Sequence, residues 1–78
     1  MRRPISIMAD AVPELYSVPR GIAADLTASI SLLADNPTPE NSQPAPGRPG
    51  RHELRAHGYI VTYSIGDEKI TIWAITED

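Results

Sequence analysis

The feature that most constrains this fold is a proline- and glycine-rich segment in the middle of the chain. Residues 37–50 hold five prolines and two glycines. Proline lacks a backbone N–H and fixes φ, so this segment can neither continue a helix nor donate to a central strand ladder. We therefore predict a connecting loop of roughly 14 residues, a length that in a compact domain is usually functional or mobile.

The half of the chain before this loop has a helical period. Across residues 20–34 the apolar side chains recur at the three-to-four spacing of one helical face. They are Ile22, Ala23, Leu26, Ile30 and Leu33. Asn36 precedes Pro37, and proline disfavours helical geometry in the residue before it, which predicts where the helix ends.

Two shorter elements are predicted nearer the N-terminus. Ile5–Ile7 alternates apolar and polar residues as a short strand does. Asp10 is placed to cap a helix that has Pro13 near its start and runs to Tyr16. Because only a few residues separate this helix from the next, we expect an antiparallel helical hairpin that Tyr16 supports.

Beyond the loop the period changes to two. Residues 59–65 and 69–75 alternate on either side of a turn at residues 66–68, which predicts a β-hairpin. A shorter strand over residues 52–56 joins it through a turn at residues 57–58. The predicted architecture is α+β: a short N-terminal strand, the helical hairpin, the long Pro-rich loop and a three-stranded antiparallel meander.

Composition narrows the functional class. The chain has 78 residues, no cysteine and a formal net charge of −3. These values fit one small domain without disulfides and argue against a broad, nonspecific grip on nucleic acid. The sequence shows no cluster of metal-type ligands and no apolar run long enough to span a membrane. We expect a single domain over residues 1–78 in the cytoplasm, with no metal and no cofactor.

Five cationic or titratable side chains lie within ten positions, at Arg48, Arg51, His52, Arg55 and His57. Histidine can act as acid or base near neutral pH, and arginine can bind phosphate. The strand period places Arg51, Arg55 and His57 on one face and His52 on the other, which separates the two histidines. The alternative interpretation is an edge strand whose solvated charges discourage aggregation.

Trp73 also has two interpretations. An aromatic side chain on a sheet face can stack on a nucleobase. In a chain with no phenylalanine, Trp73 is equally one of the few large fillers for a core, in one aromatic layer with Tyr59 and Tyr63. Packing is the more frequent role of a tryptophan in a final strand.

The order of elements and several local segments resemble the RelE/ParE family of toxins. The segments are residues 33–37 (LADNP), residues 47–50 (GRPG), residues 53–63 (ELRAHGYIVTY) and residues 67–75 (DEKITIWAI). In that family a helix ends in a leucine and a nearby proline, and a strand with Leu-Arg and Gly-Tyr leads into a final apolar strand. The resemblance covers almost the whole chain and implies the RelE-like fold.

The same resemblance implies the toxin of a type II toxin–antitoxin system, held inactive by a cognate antitoxin protein. RelE-like members are mRNA interferases that enter the ribosome and cut mRNA, whereas ParE-like members act on DNA gyrase; both inhibit growth. Cleavage of RNA requires cations that stabilise a charged phosphorane and a group that activates the ribose 2′ hydroxyl.

Several positions depart from the RelE-like pattern. Arg51 falls on a basic position of the family and is the expected phosphate contact. The next basic position is Glu53, the arginine of Gly-Tyr-Arg is Ile60, and residues 76–78 (TED) stand where the family has a basic segment ending in tyrosine or histidine. The catalytic candidates are Arg51, Arg55 and His57; the candidates for RNA or partner binding are Arg48, His52 and Trp73.

Three hypotheses stay open from the sequence. The first is a ribosome-dependent ribonuclease toxin with a degraded catalytic set. The second is a noncatalytic member, either directed at gyrase or limited to pairing with an antitoxin. The third is a decayed gene with a shortened C-terminus. The net negative charge and the changes at Glu53 and Ile60 favour a noncatalytic protein. The extent of the resemblance favours the toxin family under all three hypotheses.

Overall fold

The computed structural model describes residues 3–78, which form a five-stranded sheet and two helices. The elements are β1 (Ile5–Ile7), α1 (Ala11–Tyr16), α2 (Arg20–Leu32), β2 (Ser42–Pro44), β3 (Arg51–Ala56), β4 (Tyr59–Ile65) and β5 (Ile70–Glu77). The strand order is β1-β5-β4-β3-β2, with β1 parallel to β5 and the other neighbours antiparallel. The predicted α+β class, the N-terminal strand and the meander are confirmed.

The core lies between the helices and one face of the sheet. Leu26 and Ile30 of α2 and Leu33 just beyond it are almost completely buried. They pack against sheet residues Leu54, Val61, Tyr63, Ile70, Ile72 and Ile75. Burying one large apolar side chain contributes about 1.5–3 kcal/mol, so this layer is what holds the helices to the sheet. Among residues 3–78, no helix is long and apolar enough to cross a membrane.

Four details of the helices differ from the sequence prediction. Tyr16 is 84% exposed and does not support the helix pair, because it lies about 100° around α1 from Leu15, which packs on the core. Ile22 lies at the exposed edge of the stripe that α2 buries. Asp10 is the N-cap residue of α1, but its side chain makes no capping hydrogen bond. α2 ends at Leu32, two residues earlier than predicted.

The proline-rich segment is not a loop throughout, contrary to the prediction. Within it, Ser42–Pro44 pairs with β3 as an edge strand, with Ser42 opposite Leu54 and Pro44 opposite His52. Proline is compatible with an edge strand when its nitrogen, which carries no hydrogen, faces away from the neighbouring strand. The hydroxyl group of Tyr63 donates a hydrogen bond of 2.6 Å to the carbonyl of Pro37, which ties the start of the segment to the core.

The β3–β4 connection is a tight turn made by His57 and Gly58. Their φ angles are 54° and 83°. Two central residues with positive φ are typical of a type I′ turn, whose twist matches that of antiparallel strands. The pairing of Ala56 with Tyr59 across the turn is therefore fixed by local backbone geometry, as the sequence predicted.

A carboxylate joins α1 to the last strand. β1 pairs with β5 only as far as Ile72, so the backbone of β5 beyond it needs another partner on that side. Glu14 of α1 supplies one: its Oε1 accepts a hydrogen bond of 3.0 Å from the backbone N–H of Ile75. An unsatisfied buried N–H would cost about 1–3 kcal/mol, so this contact fixes the position of α1 against the sheet.

Candidate functional site

The sheet has a second, polar surface on the side away from the helices. Successive side chains of a strand point to opposite faces, so the residues that alternate with the core form this surface, which we call the open face. It carries Gln43, Arg51, Glu53, Arg55, Thr62, Ser64, Thr71 and Trp73. Three of the six residues singled out from the sequence, Arg51, Arg55 and Trp73, are thereby brought to one surface.

Trp73 lies on the open face because it alternates with the buried Ile72, and it also sits at an irregularity in the β4–β5 ladder. Thr62 pairs with Ala74 and Tyr63 pairs with Ile72, which leaves Trp73 as the extra residue of a β-bulge. Trp73 is half-buried and lies outside the hydrophobic core cluster. This corrects the expectation that the tryptophan fills the core in one layer with Tyr63.

The indole ring of Trp73 is held from two directions. Its Nε1 donates a hydrogen bond of 2.8 Å to Oγ of Ser64 on β4. The guanidinium carbon of Arg51, on β3, lies 4.0 Å from the ring centroid. This is within the range of a cation–π interaction, which contributes about 0.5–2 kcal/mol. The guanidinium and the indole form one stacked unit across β4, which we call the Arg51–Trp73 pair.

Glu53 and Arg55 belong to a row of polar contacts along the same face. Nε2 of Gln43 donates to Oε1 of Glu53 over 3.3 Å, and an Arg55 nitrogen lies 4.0 Å from the same oxygen. Nη1 of Arg55 also donates to Oδ1 of Asp78 over 3.0 Å. The Arg55 and Asp78 side chains are 49% and 42% exposed, so solvent screens this ion pair to under about 1 kcal/mol. Another anion can therefore displace Asp78 from Arg55 at small cost.

Both histidines are within the described residues, and both lie away from the open face. His52 is on the helix side of β3, where its ring stacks on Tyr63 with the centroids 5.5 Å apart. His57 lies in the β3–β4 turn, and its Nε2 is 3.3 Å from Oγ of Ser29 on α2. The prediction that His57 shares a face with Arg51 is wrong, because the positive φ of the turn ends the alternation of the strand.

Arg48, the remaining candidate, is exposed in the turn that leads into β3. Its backbone N–H donates to the carbonyl of Ala45 over 3.2 Å, and its own carbonyl accepts from Arg51 over 3.1 Å. These bonds position the start of β3. Among residues 3–78, no group of histidine, aspartate or glutamate side chains could hold a metal ion.

The environment of Tyr63 shifts the pKa of its phenol. Burial raises the pKa of Tyr63 above its usual value of about 10, and a hydrogen bond with the side chain of Ser42 partly opposes the shift. The phenol therefore stays neutral at physiological pH. Because it faces the helices, its role is to anchor structure.

A groove of about 540 Å³ lies on the helical side of the molecule. It is lined by Leu15, Tyr16, Val18, Arg20, Ala23, Ala24 and Thr27. A smaller depression of about 270 Å³ borders the open face beside β2, lined by Glu40, Asn41, Ser42, Gln43 and Arg55. Only the second joins the polar residues of the open face, through Gln43 and Arg55.

Comparison with solved structures identifies the fold of this chain. No family model and no curated protein matches the sequence. A chain of the archaeal RelE–RelB complex from Pyrococcus horikoshii superposes with a TM-score of 0.84 at 21% identity, over 99% of this chain and 96% of that one. The chain has the RelE fold. The resemblance read from the sequence is confirmed at this level.

Two further structures with the RelE fold extend the comparison. The toxin–antitoxin complex RelBE2 from Mycobacterium tuberculosis contains a chain with a TM-score of 0.81 at 19% identity, over the full length of both chains. The isolated RelE toxin of E. coli has a TM-score of 0.79 at 16% identity, over 96% of this chain and 83% of that one.

Sequence reasoning missed Ser64 and Gln43 as members of the open face, and it missed the contact of Asp78 with Arg55. Ser64 carried a usable signal, because a polar residue inside a strand with apolar neighbours indicates the solvent side. Gln43 carried none, because it lies in a segment that the prolines indicated to be a loop. The contact of Asp78 with Arg55 joins β3 to the residue that follows β5, and β3 and β5 are not neighbours in the sheet, so no local pattern predicts it.

Proposed function

We propose that this chain is the toxin of a type II toxin–antitoxin system, acting in the cytoplasm and held inactive by a cognate antitoxin. The observation that carries the proposal is the RelE fold along essentially the whole chain. Structures that share it are described as RelE toxins and as toxin–antitoxin complexes. Two of them match over 96–100% of their own length.

Within this proposal the open face is the surface that contacts mRNA on the ribosome. Arg51 and Arg55 are four residues apart on one face of β3, which separates them by about 13 Å along the strand. Guanidinium groups bind phosphate oxygens in a bidentate manner. Two of them at this spacing support contacts with separate phosphates of one RNA strand and stabilisation of the charge that develops during cleavage.

Glu53 is the group on the open face that supports a role as general base. It lies between Arg51 and Arg55 on the same strand face. A carboxylate within hydrogen-bond distance of a ribose 2′ hydroxyl can accept its proton. In this scheme Glu53 replaces His57, which the turn carries to the side of α2.

A noncatalytic toxin is the second candidate, favoured by a specific observation. Asp78 pairs with Arg55, which lowers the positive charge of the surface that would contact RNA. The domain would then act by binding a protein, either DNA gyrase as a target or the antitoxin alone.

Regulated expression in a bacterial host separates these functions. We expect growth arrest, with mRNA 5′ ends in the arrested cells phased to codons. Arrest without such cuts would assign the toxin to a protein target, which supercoiling assays with purified gyrase would then test. Absence of arrest at a verified level of folded protein would contradict the toxin proposal.

Single substitutions test the open face. Arg51→Ala and Arg55→Ala should each relieve growth arrest, and Glu53→Gln should abolish the cuts while the protein remains folded. Lys69→Ala is the matched control, because it removes one positive charge from the exposed turn between β4 and β5. Full toxicity in both arginine variants would remove the open face from the mechanism.

The antitoxin proposal has its own test. A small protein encoded next to this gene should restore growth when co-expressed and should co-purify with the chain. Restored growth without a stable complex would show that the neighbouring protein does not neutralise the chain by binding it.

A further inference from the structure

We propose that the Arg51–Trp73 pair is a stacking site for one base of single-stranded RNA, with the outer N–H groups of Arg51 binding the adjacent phosphate. The inference deepens the proposed function and rests on it for the choice of RNA as the ligand. It assigns to Trp73 a binding role that the arginines alone cannot supply.

The position of Trp73 is the first argument. The chain has one tryptophan and no phenylalanine, and the core of a small domain benefits most from its largest aromatic side chains. Trp73 is nevertheless outside the core cluster and on the polar face. It is also the extra residue of a β-bulge, an irregularity that occurs frequently beside active sites.

The geometry of the pair is the second argument. The hydrogen bond from Nε1 of Trp73 to Ser64 and the guanidinium of Arg51 at 4.0 Å fix the indole before any ligand arrives. A ligand that binds a preorganised group loses less conformational entropy on binding. Indole and guanidinium planes both stack on nucleobases, and a stacked guanidinium keeps its N–H edge for phosphate.

Charge provides the third argument. With a net charge of −3, the chain cannot hold RNA through many lysine and arginine contacts. Stacking is insensitive to net charge and accepts any base, because each base has a π face. A single stacking site beside two arginines therefore suits a domain that must hold one RNA strand with few cations.

The chemistry of the ligand follows from whether it contacts the guanidinium of Arg51, the indole of Trp73 or both. An acidic segment of a partner protein would bind the charge of Arg51 and gain little from the indole plane. A nucleotide would use both the plane and the charge, and it would do so next to Arg55, whose Asp78 contact is exposed and easily displaced. The open face presents both features together, which favours the nucleotide.

Trp73 is itself the probe for the test, because it is the only tryptophan in the chain. Titration of the purified full chain with hexa-adenylate RNA should quench its fluorescence saturably, whereas inorganic phosphate at the same charge concentration should not. Binding to the same RNA with a fluorescent end label, followed by anisotropy, then compares variants that lack the tryptophan.

Two substitutions at Trp73 separate stacking from structure. Trp73→Leu should weaken binding about 5- to 150-fold, the range for loss of one base–aromatic stack, and Trp73→Phe should restore most of the affinity. Trp73→Leu should leave the slope of log affinity against log salt unchanged. Arg51→Ala should reduce that slope by about 0.7, the value for one phosphate contact on a single strand. Lys69→Ala again serves as the control, and circular dichroism confirms that each variant is folded.

Three results would overturn the inference: no quenching by the RNA, equal affinity in Trp73→Leu and the parent chain, or quenching by an acidic peptide or the antitoxin but not by RNA. The last would make the pair a protein-docking site. Growth assays keep the two proposals distinguishable. If the Trp73→Leu variant arrests growth and binds RNA like the parent, the stacking site is refuted and the toxin proposal stands. If the parent chain stacks on RNA but does not arrest growth, the toxin proposal is refuted and the stacking site stands.

Discussion

The hydroxyl group of Tyr63 tests how the proline-rich segment is held to the sheet. Its ring is fully buried, and the hydroxyl donates a hydrogen bond of 2.6 Å to the carbonyl of Pro37. Tyr63→Phe keeps the ring and removes the hydroxyl group, with this bond and its hydrogen bond with the side chain of Ser42. A net hydrogen bond contributes about 0.5–1.5 kcal/mol, and a partner left unsatisfied costs about 1–3 kcal/mol. Because Pro37 is half-buried and water can reach its carbonyl in part, we expect a loss of about 1–2 kcal/mol.

Thermal and urea unfolding measure this loss. For a domain of this size, 1 kcal/mol corresponds to roughly 4–8 °C in Tm, so the melting temperature should fall by about 5–15 °C. The urea m-value should stay unchanged, because the core is intact. Tyr16→Phe is the matched control, since it removes the same atom from a side chain that is 84% exposed and should have no measurable effect.

Limited proteolysis locates the effect. If the hydroxyl anchors the start of the segment, cleavage within residues 37–50 should accelerate in Tyr63→Phe before the rest of the domain is attacked. A melting temperature equal to that of the parent, together with unchanged proteolysis, would refute the reasoning that Tyr63 holds this segment.

The same residue predicts how stability depends on pH. Burial raises the pKa of Tyr63 in the folded chain, so as pH rises through about 10 the unfolded chain loses this proton first. Unfolding then releases a proton, and the free energy of unfolding falls with increasing pH by up to about 1.4 kcal/mol per unit. The contribution is fully present below pH 10. Urea unfolding at a series of pH values should therefore show the advantage of the parent over Tyr63→Phe shrinking above pH 10; a constant difference would contradict the shift.

Substitutions at three further positions have defined outcomes in urea unfolding. Glu14→Ala should cost about 1–2 kcal/mol, because the N–H of Ile75 loses its partner, while Glu14→Gln, which keeps an acceptor, should cost less. Gly58→Ala should lower the free energy of unfolding by about 1–2 kcal/mol because of the φ of 83° alone, since the space around Gly58 is open. Gly58→Asn should lower it less, because asparagine tolerates positive φ. Equal losses in the two variants would show that backbone strain is not the cause. Trp73→Ala should cost about 1–2 kcal/mol, below the roughly 3–5 kcal/mol of a core aromatic, and a core-sized loss would return Trp73 to a packing role.

Periodicity predicted the elements well because it reports a local property. The three-to-four spacing that ends at Leu33 marks the face of α2 that is buried, and the alternation of residues 59–65 marks the buried face of β4. The turn at His57 and Gly58 was also predictable, since a two-residue connection that contains glycine, between two alternating runs, favours a tight turn. Each of these inferences uses neighbours within a few positions, where steric rules act directly.

These local rules could not predict which distant segments of the chain pair as strands. β1 lies parallel to β5 although more than sixty residues separate Ile5 from Ile70, and β2 emerges from a segment that its prolines indicated to be a loop. The free energy of both pairings comes from backbone bonds and burial that exist only once the meander is in place. An edge strand also tolerates residues that a central strand excludes, so composition alone misjudged it.

By itself the sequence determined the α+β class, the buried stripe of α2, the strand faces and the resemblance to RelE toxins, because each depends on local spacing or on the order of motifs. Only the tertiary structure decided which candidates share a site. The register of β3, β4 and β5 brings the indole of Trp73 under Arg51 from two strands away, while a single turn with positive φ carries His57 to α2. Such outcomes depend on register between strands, which is settled by packing of the whole sheet and not by any one segment.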